Sequence, residues 1–358
     1  MKDEELQSKV ITFLRFPLIV GVVLIHTSFR SLILNGEEML HSEDFPYYMG
    51  TISLFSDVLA RITVPLFFFF SGFLFFYKSN FTLSSYSNKM KKRGRTLLIP
   101  YLFWNLEVIF ILFLTSLVFP HLMSGAHLLI QDYTFVDWIN SFYAIDFGKP
   151  ICMQLWFIRD LMVIMIFSPI IFILVKYLRQ YILFILGVLW FFNFWFSLPG
   201  FGIGVIFFFS VGAYFSIHKR NFVTDMRPLF PWVIFIYPVF VIGDLLSTQY
   251  EWGKYIYSAQ ILVGMVFAIT LSAYFISRGR WKVNAFLAGA SFFVYAYHNM
   301  ALLFIWKSLF KLLYPVTDAM LVFMYFFCSC LTILLGLALY YVLKKYLPRF
   351  TQLITGGR

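Results

Sequence analysis

The chain is poor in charge and poorest in acidic charge. Only 13% of its 358 residues are Asp, Glu, Lys or Arg, and 17 acidic residues stand against 28 basic ones. A soluble protein needs a charged, solvated surface. Here 61% of residues are hydrophobic and 22% are aromatic, which excludes one. Three cysteines give no disulfide framework: Cys328 and Cys330 lie inside an apolar run, and Cys152 lies in a loop. No His and Cys spacing resembles a metal centre, so no metal ligand is assigned. A Gly-x-Ser-x-Gly nucleophile elbow is missing. Gly200-Phe-Gly202-Ile-Gly204 has no strand before it and joins two apolar segments by a tight turn, which rules out a dinucleotide fingerprint. There is no internal repeat, no low-complexity linker and no small-residue cleavage site after the first apolar run.

What remains is a series of apolar runs of about 17–25 residues, the length that crosses a bilayer as a helix. Barrel strands would instead alternate over about ten residues. The expectation is an all-α, polytopic membrane bundle forming one domain over residues 1–358. Ten spans are predicted, at roughly 10–29, 55–77, 96–119, 155–177, 181–197, 201–217, 228–247, 255–277, 285–308 and 319–343. Alternate connections are basic. With both termini in the cytoplasm, 21 of the 28 Lys and Arg lie inside and seven outside, the bias that sets orientation in the inner (cytoplasmic) membrane. The net charge of +11 therefore reads as topology and contact with membrane lipids, and nucleic acid is excluded as a partner.

Two ionisable residues stand on the first span. Arg15 and His26 are eleven positions apart with apolar or small residues between them. Eleven helical steps turn about 1100°, only about 20° past three full turns, and rise about 16 Å. Both side chains therefore share one stripe. Charged groups cost about 2.5–3.5 kcal/mol each near a membrane centre, so they face the bundle interior and mark function. The imidazole titrates near neutrality and can take and return a proton. Arg15 and His26 are the candidate catalytic pair, the bland alternative being a histidine satisfied within the bundle.

Other intramembrane polar groups form a candidate substrate-binding set: Arg61, Glu107, Trp156, Arg159 and His298. Arg61 opens the second span and is placed to pair with Asp57 one turn earlier. Glu107 lies mid-span and needs a partner, with the arginines or His26 as candidates. Arg159 and Asp160 are neighbours, which do not face each other on a helix, so each is expected to pair elsewhere. Ser71 and Gly72 permit close helix packing. The basic run Lys91, Lys92, Arg93 and Arg95 precedes the third span and suits a polyphosphate, although it equally serves as the inside signal. Two longer outer loops carry acids and aromatics: Glu37, Glu38, Glu43 and Asp44 in one, and His121, His127, Asp132, Asp137 and Asp146 in the other. They suit a sugar-like acceptor or are ordinary solvated loop.

Taken in order, Arg15-x10-His26, Val64-Pro-Leu-Phe with Ser71-Gly72-Phe73, the basic run ending in Arg95 with Pro100-Tyr101, Leu155-Trp156-Phe157 and Tyr297-His298 resemble the bacterial membrane acyltransferases of acyltransferase family 3. The resemblance runs the length of the chain. One departure is local: family members often have Leu-Arg-Gly at the start of helix 1, where this chain has Leu14-Arg15-Phe16. The resemblance implies transfer of an acetyl or other short acyl group from acetyl-CoA, a substrate rather than a bound cofactor, to a hydroxyl of a cell-surface glycan or lipid-linked sugar. It implies that Arg15 and His26 are essential and that no second, attached transfer domain is expected. The basic run and Arg15 would then hold the CoA phosphates, and Arg61 or Arg159 the oxyanion or acceptor. The other readings are a non-catalytic glycan or lipid transporter and a membrane sensor module.

Overall fold

A computed structural model describes residues 3–34, 37–79, 81–118, 129–145, 148–196 and 198–357. In a bilayer every backbone polar group must be satisfied within the segment, so apolar runs fold as helices. Among the described residues, seven helices are long and apolar enough to cross a membrane. They are α1 (Asp3–His26), α2 (Pro46–Phe76), α3 (Leu83–Val118), α9 (Phe222–Ser247), α10 (Gly253–Ser277), α11 (Ala285–Leu313) and α12 (Asp318–Tyr346). A short outer helix, α4 (Phe135–Phe142), precedes α5 (Trp156–Ile166) and α6 (Ser168–Leu178). A last short helix, α13 (Pro348–Thr355), closes the chain. Strands β1 (Ser31–Leu34) and β2 (Glu37–His41) make an antiparallel hairpin after α1.

The predicted fourth span is not one straight helix. It breaks between α5 and α6 with a bend of 65°. Pro169, in the first turn of α6, lacks the N–H that would continue the ladder, and the chain turns there. The predicted fifth and sixth spans are α7 (Gln180–Phe191) and α8 (Ile203–Ile217), of 12 and 15 residues. At 1.5 Å per residue they rise about 18 and 23 Å, short of a hydrocarbon core of about 30 Å. The second span begins earlier than predicted. The helix already runs from Pro46, where the Tyr48 N–H donates to Asp318 Oδ1 at 2.8 Å and ties it to α12. The third begins at Leu83, capped by Thr82, so the basic run is itself helical.

Packing places α8 against α2 at backbone contact. A Cβ at Gly72 would strike the Phe209 carbonyl, and one at Gly212 would strike the Phe69 carbonyl. Small residues allow this approach, which in lipid replaces the missing hydrophobic drive between helices. On α1, a Cβ at Gly21 would lie 2.5 Å from Thr63 Cγ2, so α1 also beds closely on α2. Phe69, Phe73 and Phe209 fill the seam and are fully buried. Phe184, Phe235 and Phe304 point outward, where lipid would cover them. Next to the end of α13, Trp104 Nε1 donates to the Ile354 carbonyl at 3.0 Å, so the C-terminal segment is strapped to α3.

Candidate active site

One large cavity, about 790 Å³, runs inside the bundle along α1. This lies within the range of about 300–1,000 Å³ that holds small ligands. Its walls begin at Ile11 and Arg15 on α1 with Arg93 and Leu97 on α3, and pass Ser71, Phe68 and Ser291. They finish at His26, Arg61, Lys149, Lys254 and Tyr257. The helical stripe read from spacing is thus the spine of an internal channel, and both members of the pair face it.

The electrostatics of the wall are one-sided. Among the described residues it carries the cations Arg15, Arg61, Arg93, Lys149 and Lys254 against the single carboxylate Asp160. Asp160 is already committed to Arg159, whose Nε lies 2.9 Å from its Oδ1. Arg61 shares Asp57 with Arg30: its Nη2 is 3.0 Å from Oδ1, as the one-turn spacing predicted. Arg15 makes no ion pair with another described residue. A net positive lining with a titratable imidazole at one end is suited to an anionic ligand with its reactive end at His26.

The two irregular turns in the long helices help aim these groups. Residues Ser53–Val58 form a π turn followed by a 3-10 turn, Leu59–Ile62, and this carries Asp57 and Arg61 beside the end of α1. A second π turn, Gly94–Leu98, follows the basic run. A π turn holds more residues than an α turn and so rotates the faces that follow it, a device frequent at functional sites. Of the run, Arg93 reaches the cavity. Lys91, Lys92 and Arg95 are exposed and do not line it.

The substrate-binding set separates likewise. Arg61 and Trp156 line the cavity. Glu107 does not; it is half-buried on α3 and pairs with none of the arginines or histidines proposed for it among the described residues. Arg159 stands behind the wall rather than in it. The expectation that Arg159 and Asp160 have separate partners is corrected by their contact. The rule for adjacent residues concerns Cβ directions, and the long arginine side chain curls back past it. Arg159 Nη1 also donates to the carbonyls of Tyr143 and Gly148, at 2.8 and 3.3 Å, which pins the outer loop to α5. His298 is fully buried, off the cavity surface, with its ring centroid 5.0 Å from that of His26.

In the outer loop Asp137 is occupied locally. Hydrogen bonds from the Thr134 side chain and backbone cap α4 and hold its carboxyl below the usual carboxylate range. His121, His127 and Asp146 lie outside the described residues, as do the side chains of Glu37 and Glu38.

Among the wall residues that sequence reasoning missed are Gln154, Lys149, Lys254 and Tyr257. Gln154 is the most informative. It is buried, its Nε2 donates to the Ala296 carbonyl at 2.6 Å, and its Oε1 has no partner. A buried amide at the mouth of a span, two residues before Trp156, was the available signal. The lysines read from sequence only as outer-loop charges.

The fold is that of a polytopic helical membrane protein, with a cationic internal cavity that has an imidazole at one end. The chain belongs to the acyltransferase-domain family, whose pattern matches residues 9–341. It is also similar to the succinoglycan biosynthesis protein ExoH of Rhizobium meliloti (strain 1021). The two are 24% identical over 374 residues, covering 97% of this chain and 92% of that one. No solved structure matches the chain.

Proposed function

We propose that the protein is an acyl-CoA-dependent O-acyltransferase of the inner membrane that moves an acetyl or other short acyl group to a hydroxyl of a cell-surface glycan or lipid-linked sugar. The observation that carries this reading is the cavity joining Arg15 to His26. On this reading the chain crosses ten times with both termini cytoplasmic, the bent pair and the two short helices counting as crossings beside the seven long ones, which assigns Arg15 and Arg93 to the inner face and His26 to the outer side. Arg15 and Arg93 then bind the CoA phosphates. A planar guanidinium grips a phosphate through two parallel hydrogen bonds. The pantetheine arm lies along the apolar wall over about 16 Å of helix rise, and the thioester reaches His26. The polysaccharide connection in the name of the Rhizobium meliloti relative supports a glycan acceptor.

Two routes suit this geometry. In the first, His26 takes the proton from the acceptor hydroxyl as its oxygen bonds to the thioester carbon. The carbon–sulfur bond breaks, and the proton passes to the departing thiolate. In the second, an imidazole nitrogen bonds to the thioester carbon, the carbon–sulfur bond breaks and CoA leaves as the thiol with the imidazole proton. The acceptor oxygen then bonds to the acyl carbon, the carbon–nitrogen bond breaks and the hydroxyl proton returns to the imidazole. Arg61 and the Gln154 amide stand near the reacting end to bind the acceptor or the developing oxyanion.

The test is purified protein in liposomes with labelled acetyl-CoA and a glycan or lipid-linked sugar fraction. Wild type should transfer label, and His26→Ala and His26→Gln at normal protein level should not. Full transfer by either variant removes His26 from the chemistry. Movement of unmodified sugar without acyl turnover would establish the transporter reading instead.

A further inference from the structure

The wall of the cavity conceals a second imidazole with one nitrogen left over. His298 Nδ1 lies 2.7 Å from the Tyr295 carbonyl oxygen. A carbonyl only accepts, so Nδ1 carries the proton and Nε2 holds a lone pair. That Nε2 is buried and has no hydrogen-bond partner. The stretch of α11 around it is clamped twice to the loop before α5. The Tyr295 hydroxyl donates to the Gln154 carbonyl, and the Gln154 side chain donates to Ala296. His298 is therefore held in one tautomer and one place. His26 lies beside it with ring centroids 5.0 Å apart and planes tilted by 56°, and makes no hydrogen bond to another described residue. The two rings are in contact but make no hydrogen bond to each other in this arrangement. Because each ring nitrogen lies about 1.1 Å from its centroid, a rotation of the His26 ring that faces a nitrogen toward Nε2 closes the gap to about 2.8 Å.

We propose that His298 is the positioning residue for His26: on rotation of the His26 ring toward it, its Nε2 accepts the N–H of His26 and so leaves the other His26 nitrogen as a lone pair facing the cavity. This rests on the reading of His26 as the group that performs acyl transfer. A neutral imidazole carries its proton on either nitrogen, and only one tautomer presents a lone pair to the hydroxyl or thioester. His298 selects that tautomer. It also keeps a hydrogen bond on the imidazolium that forms when His26 takes the hydroxyl proton, until the proton leaves with the CoA thiolate. His298 itself gains and loses no proton.

The test uses His298→Phe, which keeps ring volume without an acceptor, His298→Gln, whose Oε1 falls near the place of Nε2, and His298→Asn, whose acceptor falls short of it. The expected result is a fall in kcat of about 100-fold for Phe with KM for acyl-CoA unchanged, and recovery of at least tenfold for Gln over Phe. If the Phe variant does not fold, the Gln variant should still exceed Asn by the same margin. Phe retaining a third of wild-type kcat, or Gln no better than Phe and Asn, overturns the proposal. A second readout is independent of turnover: the rate at which diethyl pyrocarbonate modifies His26, followed by mass spectrometry of the peptide that contains it. The rate should fall about tenfold in His298→Phe, and an unchanged rate overturns the proposal. Should wild type show no acyl transfer, the proposed function fails while this rate still decides the pairing.

Discussion

Asp160→Asn tests how the outer end of the site is held. The Asp160 and Arg159 side chains are only 8% and 7% exposed, with Nε to Oδ1 at 2.9 Å. Asparagine keeps the shape and removes the charge. The guanidinium would keep its bonds to the Tyr143 and Gly148 carbonyls, but two dipoles do not neutralise a buried cation. Breaking one side of a buried pair costs about 3–5 kcal/mol, and the surviving carbonyls place this case near the lower end, about 3 kcal/mol. For a chain of this length each kcal/mol shifts the melting temperature by about 2 °C, so a fall of about 6 °C is expected. In a Cys330→Ala background, which removes the exposed thiol, a thiol-reactive fluorogenic dye can follow unfolding of the detergent-solubilised protein, because Cys152 and Cys328 are buried until the bundle opens. Combining Asp160→Asn with Arg159→Met leaves no charge buried and should restore most of the loss. A single variant within 1 °C of wild type, or a double variant less stable than the single, would refute the assignment of this pair as a buried, mutually dependent unit.

The other expectations follow from positions along the same channel. Arg93→Gln should raise KM for acetyl-CoA by about tenfold, corresponding to about 1.4 kcal/mol of lost phosphate binding, whereas Lys91→Gln with Lys92→Gln should change it less than twofold; equal effects would mean that the run acts as a diffuse charge. Gly212→Ala should lower the melting temperature by several degrees, because overpacking costs about 1–3 kcal/mol and the new methyl meets the Phe69 backbone, which cannot swing aside; an unshifted transition would show that α2 and α8 are not in backbone contact. In a cysteine-free background, a cysteine at Ser87 should label only from the cytoplasm and one at Ser124, outside the described residues, only from the other side. Labelling of both from one side would refute the ten-crossing arrangement and the route from inner donor to outer acceptor.

The helical class and the family were legible because they depend on properties that the chain carries locally. Runs of apolar residues have no alternative in lipid but a helix, and the eleven-residue interval between Arg15 and His26 fixes their common face by helical geometry alone. The Asp57–Arg61 pair was legible for the same reason, lying one turn apart on one helix. Readings failed where reach or packing across elements decided the outcome. Arg159 turned back onto Asp160 because a buried guanidinium takes the nearest carboxylate, whatever the Cβ directions. Two other differences are local: the fourth span broke at Pro169, whose missing N–H interrupts the ladder, and the fifth stopped at Phe191 rather than near 197.

Sequence by itself determined that this chain is a membrane helical bundle with an arginine and a histidine on one stripe, since periodicity and hydropathy act within a segment. Tertiary structure alone decided that the stripe lines a cavity, that Arg93 and not Lys91, Lys92 or Arg95 joins it, and that His298 meets His26. Those facts depend on contacts between α1, α3 and α11, whose residues are separated by up to 272 positions between His26 and His298. No local pattern records which distant helix faces will meet, because side-chain volume and close glycine contacts fix that only when the whole bundle packs.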